Sequence, residues 1–85
     1  MTYKITIRKE ALKELERLPK ATNQDISNKI DLLEFDPRPA GCKKLKGKHE
    51  NLWRIRTGDY RIIYSIEDKI KIIDIRKIGH RKDVY

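Results

Sequence analysis

A single cysteine, Cys42, in 85 residues excludes an internal disulfide and any metal site built from several thiolates of one chain. It reads as an ordinary small residue in a loop or at a strand start. Long apolar runs are also missing. None approaches the roughly 20 residues that span a bilayer, and the opening Met1-Thr2-Tyr3-Lys4-Ile5-Thr6-Ile7-Arg8 lacks the apolar core of a secretory signal. A cytoplasmic protein without membrane attachment is therefore expected. Aromatic residues are sparse, at 7%, which works against a surface that grips bases by serial stacking. The two histidines, His49 and His80, lie far apart with no ordered carboxylate pattern, so neither a metal site nor another cofactor is expected. His49 receives no role. Acids are outnumbered 13 to 21 by lysine and arginine, and the resulting net charge of +8 favours nucleic acid or another acidic partner.

What the chain does hold is periodic. The length suits one domain, residues 1–85, with a small core. The apolar residues recur at regular spacing despite 40% charged residues, which excludes a disordered chain. Tyr3 to Ile7 alternates as a strand, with Tyr3, Ile5 and Ile7 turned to the core. Helical spacing follows: Ala11, Leu12, Leu15 and Leu18 form one stripe that Pro19 closes. A second stripe, Ile26, Ile30 and Leu33 widened by Leu32 and Phe35, ends at Asp36-Pro37-Arg38-Pro39. Gly41 to Gly47 is a short strand or loop. Glu67-Asp68-Lys69 turns into a long strand from Ile70 to Ile78, which carries isoleucine on both faces and belongs inside the sheet. The order β-α-α-β-β-β-β predicts an α+β fold. Its helical hairpin packs on one face of a mostly antiparallel sheet and leaves the other face open.

The most informative stretch is Leu52 to Tyr64. Two alternating runs flank Gly58-Asp59, a two-residue hairpin signal. That turn sets Thr57 against Tyr60, Arg56 against Arg61, Ile55 against Ile62, Arg54 against Ile63 and Trp53 against Tyr64. Trp53, Ile55, Ile62 and Tyr64 then share one face, and Arg54, Arg56 and Arg61 the other. Like charges directly opposed across a strand pair destabilise it. Guanidinium groups match phosphate oxygens with paired hydrogen bonds, so three on one pleated face suit a polyanion. Lys43, Lys44 and Lys46 add positive charge nearby.

The last eight residues, Ile78-Gly79-His80-Arg81-Lys82-Asp83-Val84-Tyr85, are expected to leave the long strand and gather a histidine, an arginine and a tyrosine. RNA cleavage without metal needs a base for the 2′-hydroxyl proton, cations for the phosphorane and an acid for the leaving 5′-oxygen. His80, Arg61, Arg81 and Tyr85 are of the right types.

Three segments carry a resemblance to the RelE/ParE superfamily of bacterial toxin–antitoxin toxins, on the RelE side of it. They are Asp36-Pro37-Arg38-Pro39 with Lys43-Lys44-Leu45-Lys46-Gly47, the run Leu52 to Tyr64, and the run Ile78 to Tyr85. The resemblance implies a ribosome-dependent endoribonuclease that cuts messenger RNA in the A site and leaves a 5′-hydroxyl. It also implies a cognate antitoxin as partner, with operator DNA reached only through that antitoxin. The family's two basic residues before the turn fall on Arg54 and Arg56, where well-studied members have lysine. The next arginine falls on Arg61, and the last arginine and terminal tyrosine on Arg81 and Tyr85. Arginine does not deprotonate, so the resemblance leaves the base role to His80 or Tyr85. Histidine is favoured because it titrates near neutrality without a large shift. Two other functions fit the same scaffold: a ParE-like gyrase poison, which dispenses with the Arg-His-Tyr set, and a non-catalytic nucleic-acid-binding domain, for which the basic residues suffice.

Overall fold

The computed structural model describes residues 2–46 and 51–80. Its elements are β1 (Lys4–Ile7), α1 (Lys9–Arg17), α2 (Lys20–Leu33), β2 (Lys43–Lys44), β3 (Leu52–Thr57), β4 (Tyr60–Glu67) and β5 (Ile72–His80). The strands form one sheet in the order β1-β5-β4-β3-β2. β1 runs parallel to β5, and every other pairing is antiparallel. This is the α+β arrangement expected from the element order.

Ala11 and Leu15 of α1 and Ile26, Ile30 and Leu33 of α2 meet Ile55, Ile62, Tyr64, Ile66, Ile73, Ile75 and Ile78 in one core. The helix pair turns at Leu18, and Pro19 opens α2. Asn23 donates from its amide to the Leu15 carbonyl at 2.9 Å, which also accepts from the Leu18 N–H at 3.2 Å, so α2 is tied to the last turn of α1. Leu32 and Phe35, expected to widen the α2 stripe, are 59% and 68% exposed, and Leu12 is 42% exposed. The sheet is too narrow to cover more than the central line of each helix. Ile7, expected in the core, is also largely open, because β1 is an edge strand. Ile70 lies in the turn before β5 and is exposed. Lys71 takes the left-handed conformation there, with φ 56°.

The hairpin register is the expected one at every pair from Trp53 with Tyr64 to Thr57 with Tyr60. Gly58 has φ +60°, which a tight two-residue hairpin needs at its first turn position. At the other end, Tyr64 is fully buried and donates its hydroxyl to the Pro37 carbonyl at 2.8 Å. Burial pushes that phenol well above its ordinary pKa. Arg38, in the same loop, lies over the Trp53 ring at 5.0 Å and pairs with Asp68 at 2.9 Å. Tyr3 also donates to Asp68, at 2.7 Å. The Asp36-to-Pro39 loop is thus tied to β3, β4 and the β4–β5 turn.

Two outcomes follow for stability. The hydrogen bonds from Arg38 and Tyr3 hold Asp68 down at about 2. A carboxylate depressed on folding contributes stability that is complete above its ordinary unfolded value near 4 and lost as pH falls towards 2. Asp68→Asn should therefore flatten the acid limb of an unfolding curve recorded from pH 5 to pH 2 and leave its shape above pH 5 unchanged. At Gly58 nothing lies within 4 Å of an added Cβ, so a substitution there meets backbone strain and no clash. Gly58→Ala should cost about 1–2 kcal/mol and Gly58→Asn less, measured by urea unfolding.

Candidate functional site

Side chains alternate across a sheet, so register decides which residues share a face. On the face turned away from the helices, Lys43 pairs with Arg54, Arg54 with Ile63, and Arg56 with Arg61. Arg61 in turn pairs with Gly79, and Ile63 with Lys77. Lys43, Arg54, Arg56 and Arg61 are therefore brought together, and the opposed arginines are real. Lys44 pairs with Trp53 and points to the other side. Lys46 is an exposed residue beyond β2. Arg81 and Tyr85 lie outside the described residues.

This face is not open throughout, as the sequence implied. Arg54 retains only 5% of its surface, and its neighbours Ile63 and Ser65 retain 6% and 2%. The Arg54 Nε is buried with no hydrogen-bond partner. An unpaired guanidinium withdrawn from water is costly unless an anion completes it. Arg56 remains exposed and Arg61 half-buried. Both border a small hollow of about 30 Å³ at the hairpin tip with Gly58, Asp59 and Tyr60.

Further along the face, Asp74 accepts from Thr6 Oγ1 and Arg8 Nε, each at 3.0 Å. Arg76 Nε approaches it at 3.4 Å, and Arg76 also donates to Ser65 Oγ at 3.4 Å. Near the hairpin tip Arg54, Arg56 and Arg61 outnumber Asp59, and Asp74 sits by β1. Arg8, Asp74, Arg76 and Lys77 escaped the sequence reading. One signal was available: in Ile75-Arg76-Lys77-Ile78, two charges stand between isoleucines where alternation allows one.

His80 departs from expectation. β5 continues through Gly79 and His80 instead of ending at Ile78, and His80 pairs with Tyr60. Both side chains share the helix-covered face, with their rings edge to face at 5.7 Å between centroids. His80 borders a cavity of about 400 Å³ with Glu10 and Glu14 of α1, Leu18 just after it, Tyr60, Lys77 and Ile78. The pleat thus separates His80 from Arg61, which faces the other way. Among the described residues no three His, Cys, Asp or Glu side chains are grouped to hold a metal ion. No helix among them is long and apolar enough to cross a membrane.

Residues 5–85 match the family model described as the ParE toxin of the type II toxin–antitoxin system parDE. Among curated proteins, Toxin RelE3 of Methanocaldococcus jannaschii is 34% identical over 91 residues, covering 96% of this chain and 94% of the relative. Toxin RelE of Mycobacterium tuberculosis is 32% identical over 84 residues, covering 98% and 86%. Among solved structures, the archaeal RelE in a RelE–RelB complex from Pyrococcus horikoshii is 40% identical. It superposes with a TM-score of 0.85 over 99% of this chain and 100% of that one. With the match running through the hairpin and both faces of the sheet, the chain belongs to the RelE/ParE superfamily of type II toxin–antitoxin toxins.

Proposed function

We propose that this toxin is a messenger RNA endonuclease acting in the ribosomal A site, and that the arginine face holds the RNA backbone. The observation that carries the reading is Arg54, buried with its Nε unpaired beside Lys43, Arg56 and Arg61. A phosphate supplies the missing charge and acceptors, and the opposed Arg56 and Arg61 then share an anion instead of repelling each other. In the reaction the 2′-hydroxyl gives its proton to the base and its oxygen attacks the adjacent phosphorus, a 2′,3′-cyclic phosphate forms, and the bond to the 5′-oxygen breaks as that oxygen takes up a proton and leaves as a 5′-hydroxyl. Arg61 and Arg81 stabilise the phosphorane, while Arg54 and Arg56 hold the chain. The register of β5 turns His80 toward Tyr60 and α1, so the proton-transfer role passes from His80 to Tyr85. No step in this scheme calls for a metal ion.

The relatives named RelE support the nuclease reading, and the family model's ParE description supports gyrase as the rival target. The P. horikoshii relative was crystallised with RelB. By the same reading a cognate antitoxin binds this chain, neutralises its basic face, and carries any contact with operator DNA. Its association should weaken as salt rises.

Cleavage of a messenger on programmed ribosomes, run beside a supercoiling assay with purified gyrase, separates the two targets. Cuts in A-site codons with supercoiling unaffected support the nuclease. Inhibited supercoiling with intact messenger overturns it. Arg56→Ala and Arg61→Ala should each lower single-turnover cleavage by about a hundredfold. Stability should change by only about 0.5 kcal/mol, since removing one of two opposed charges relieves repulsion. Loss of melting temperature in step with loss of cleavage would defeat the assignment. For proton transfer, Tyr85→Phe should lose about a hundredfold or more, and His80→Gln should stay near wild type. The opposite pattern returns the role to His80.

A further inference from the structure

The ladder between β4 and β5 slips once. Tyr64 pairs with Ile75 and Ile63 with Lys77, which leaves Arg76 as an extra residue on β5. In an unbroken strand Lys77 would share a face with Ile75, which is fully buried under the helices. The extra residue reverses the alternation. Ile78 returns to the core at 1% exposure, and Lys77 stands with Ile63 on the arginine face. Bulges re-aim side chains in this way, often beside functional sites.

Lys77 has cations on the arginine face and, on its other side, a cavity that Glu10 and Glu14 line. Arg61 faces Gly79 across the strands, so β5 itself places no side chain opposite Arg61. The two cations sit on a diagonal, about 7–8 Å apart at the backbone. Asp74, the acid on β5 nearest along this face, is already engaged by Thr6, Arg8 and Arg76. Lys77 is exposed and makes no ion pair among the described residues. β1 pairs with β5 only as far as Ile75, so β5 is the sheet edge at this level and Lys77 also borders the cavity under α1. Among the described residues no strand covers this edge, and a backbone phosphate can approach from it.

We propose that Lys77, turned onto the arginine face by the bulge at Arg76, is a phosphate-contacting residue that extends the cationic row of Arg54, Arg56 and Arg61 onto β5. The inference rests on the reading of this face as the RNA-binding surface. The test is fluorescence anisotropy of a short single-stranded RNA oligonucleotide with 2′-O-methyl groups, titrated with the purified toxin over a range of salt. Lys77→Ala should weaken binding about fivefold and lower the slope of log affinity against log salt by roughly 0.7, one phosphate contact on a single strand. Lys77→Arg should keep both values. Lys69→Ala removes an equal charge from the β4–β5 turn and should bind as the wild type does.

If Lys77→Ala matches Lys69→Ala while Arg56→Ala binds weakly, the inference fails and the RNA face stands. Failure of Lys77→Arg to restore binding also overturns it, because a phosphate contact accepts either cation. No binding by the wild type, or no effect of Arg56→Ala, removes the RNA face and the inference together. Lys77 is exposed, so its variants should melt as the wild type does. A lowered melting temperature for Lys77→Ala would assign the loss to packing and overturn the contact.

Discussion

The direction in which the side chains of β4 point governs the rest of the molecule. β4 is the middle strand, paired with β3 on one side and β5 on the other. Its residues Ile62, Tyr64 and Ile66 are buried under the helices. Alternation then commits Arg61, Ile63 and Ser65 to the opposite side. A shift of one residue would exchange the two sets, placing a guanidinium in the core and isoleucines in water. The Gly58-Asp59 turn prevents that shift from one end. The Tyr64 hydroxyl, held on the Pro37 carbonyl, prevents it from within.

A narrow sheet with a helical hairpin on one face leaves a second face whose chemistry is unconstrained by the main core. This chain sets cations on that face near the hairpin tip, with Asp59 in the turn, and engages Asp74 with Thr6 and Arg8 beside β1. The result costs stability in two places: Arg56 stands opposite Arg61, and Arg54 is withdrawn from water with its Nε unpaired. Neither feature helps the fold. On the proposed RNA-binding reading both favour a polyanion, because an anion between the arginines screens their repulsion and offsets the desolvation of Arg54.

The bulge at Arg76 reconciles two requirements of β5. Its isoleucines must cover the helices, while its charges must stay out of the core. A regular strand running Ile73, Ile75, Lys77 would place the lysine beneath α1. One extra residue lets Ile78 take that place and moves the charge to the other surface. The same step sets His80 beside Tyr60 and separates it from the arginines.

The local features were legible in the sequence because they depend on neighbours in the chain. The hairpin register, the order of elements, the stripes at Ala11, Leu15, Ile26, Ile30 and Leu33, and the shared face of Arg54, Arg56 and Arg61 all follow from period-two or helical spacing and from turn chemistry. What could not be read was set by partners distant in sequence. The exposure of Leu32, Phe35 and Ile7 depends on the width of the sheet, and the burial of Arg54 on what surrounds it. The side on which His80 and Lys77 lie depends on a ladder slip between β4 and β5. By itself the sequence determined which residues alternate and where the chain turns, since those are fixed by bonds and sterics a few residues long. Only the tertiary structure decided which face each charge reaches and which charge is left unpaired, because pairing and desolvation arise between strands and not along them.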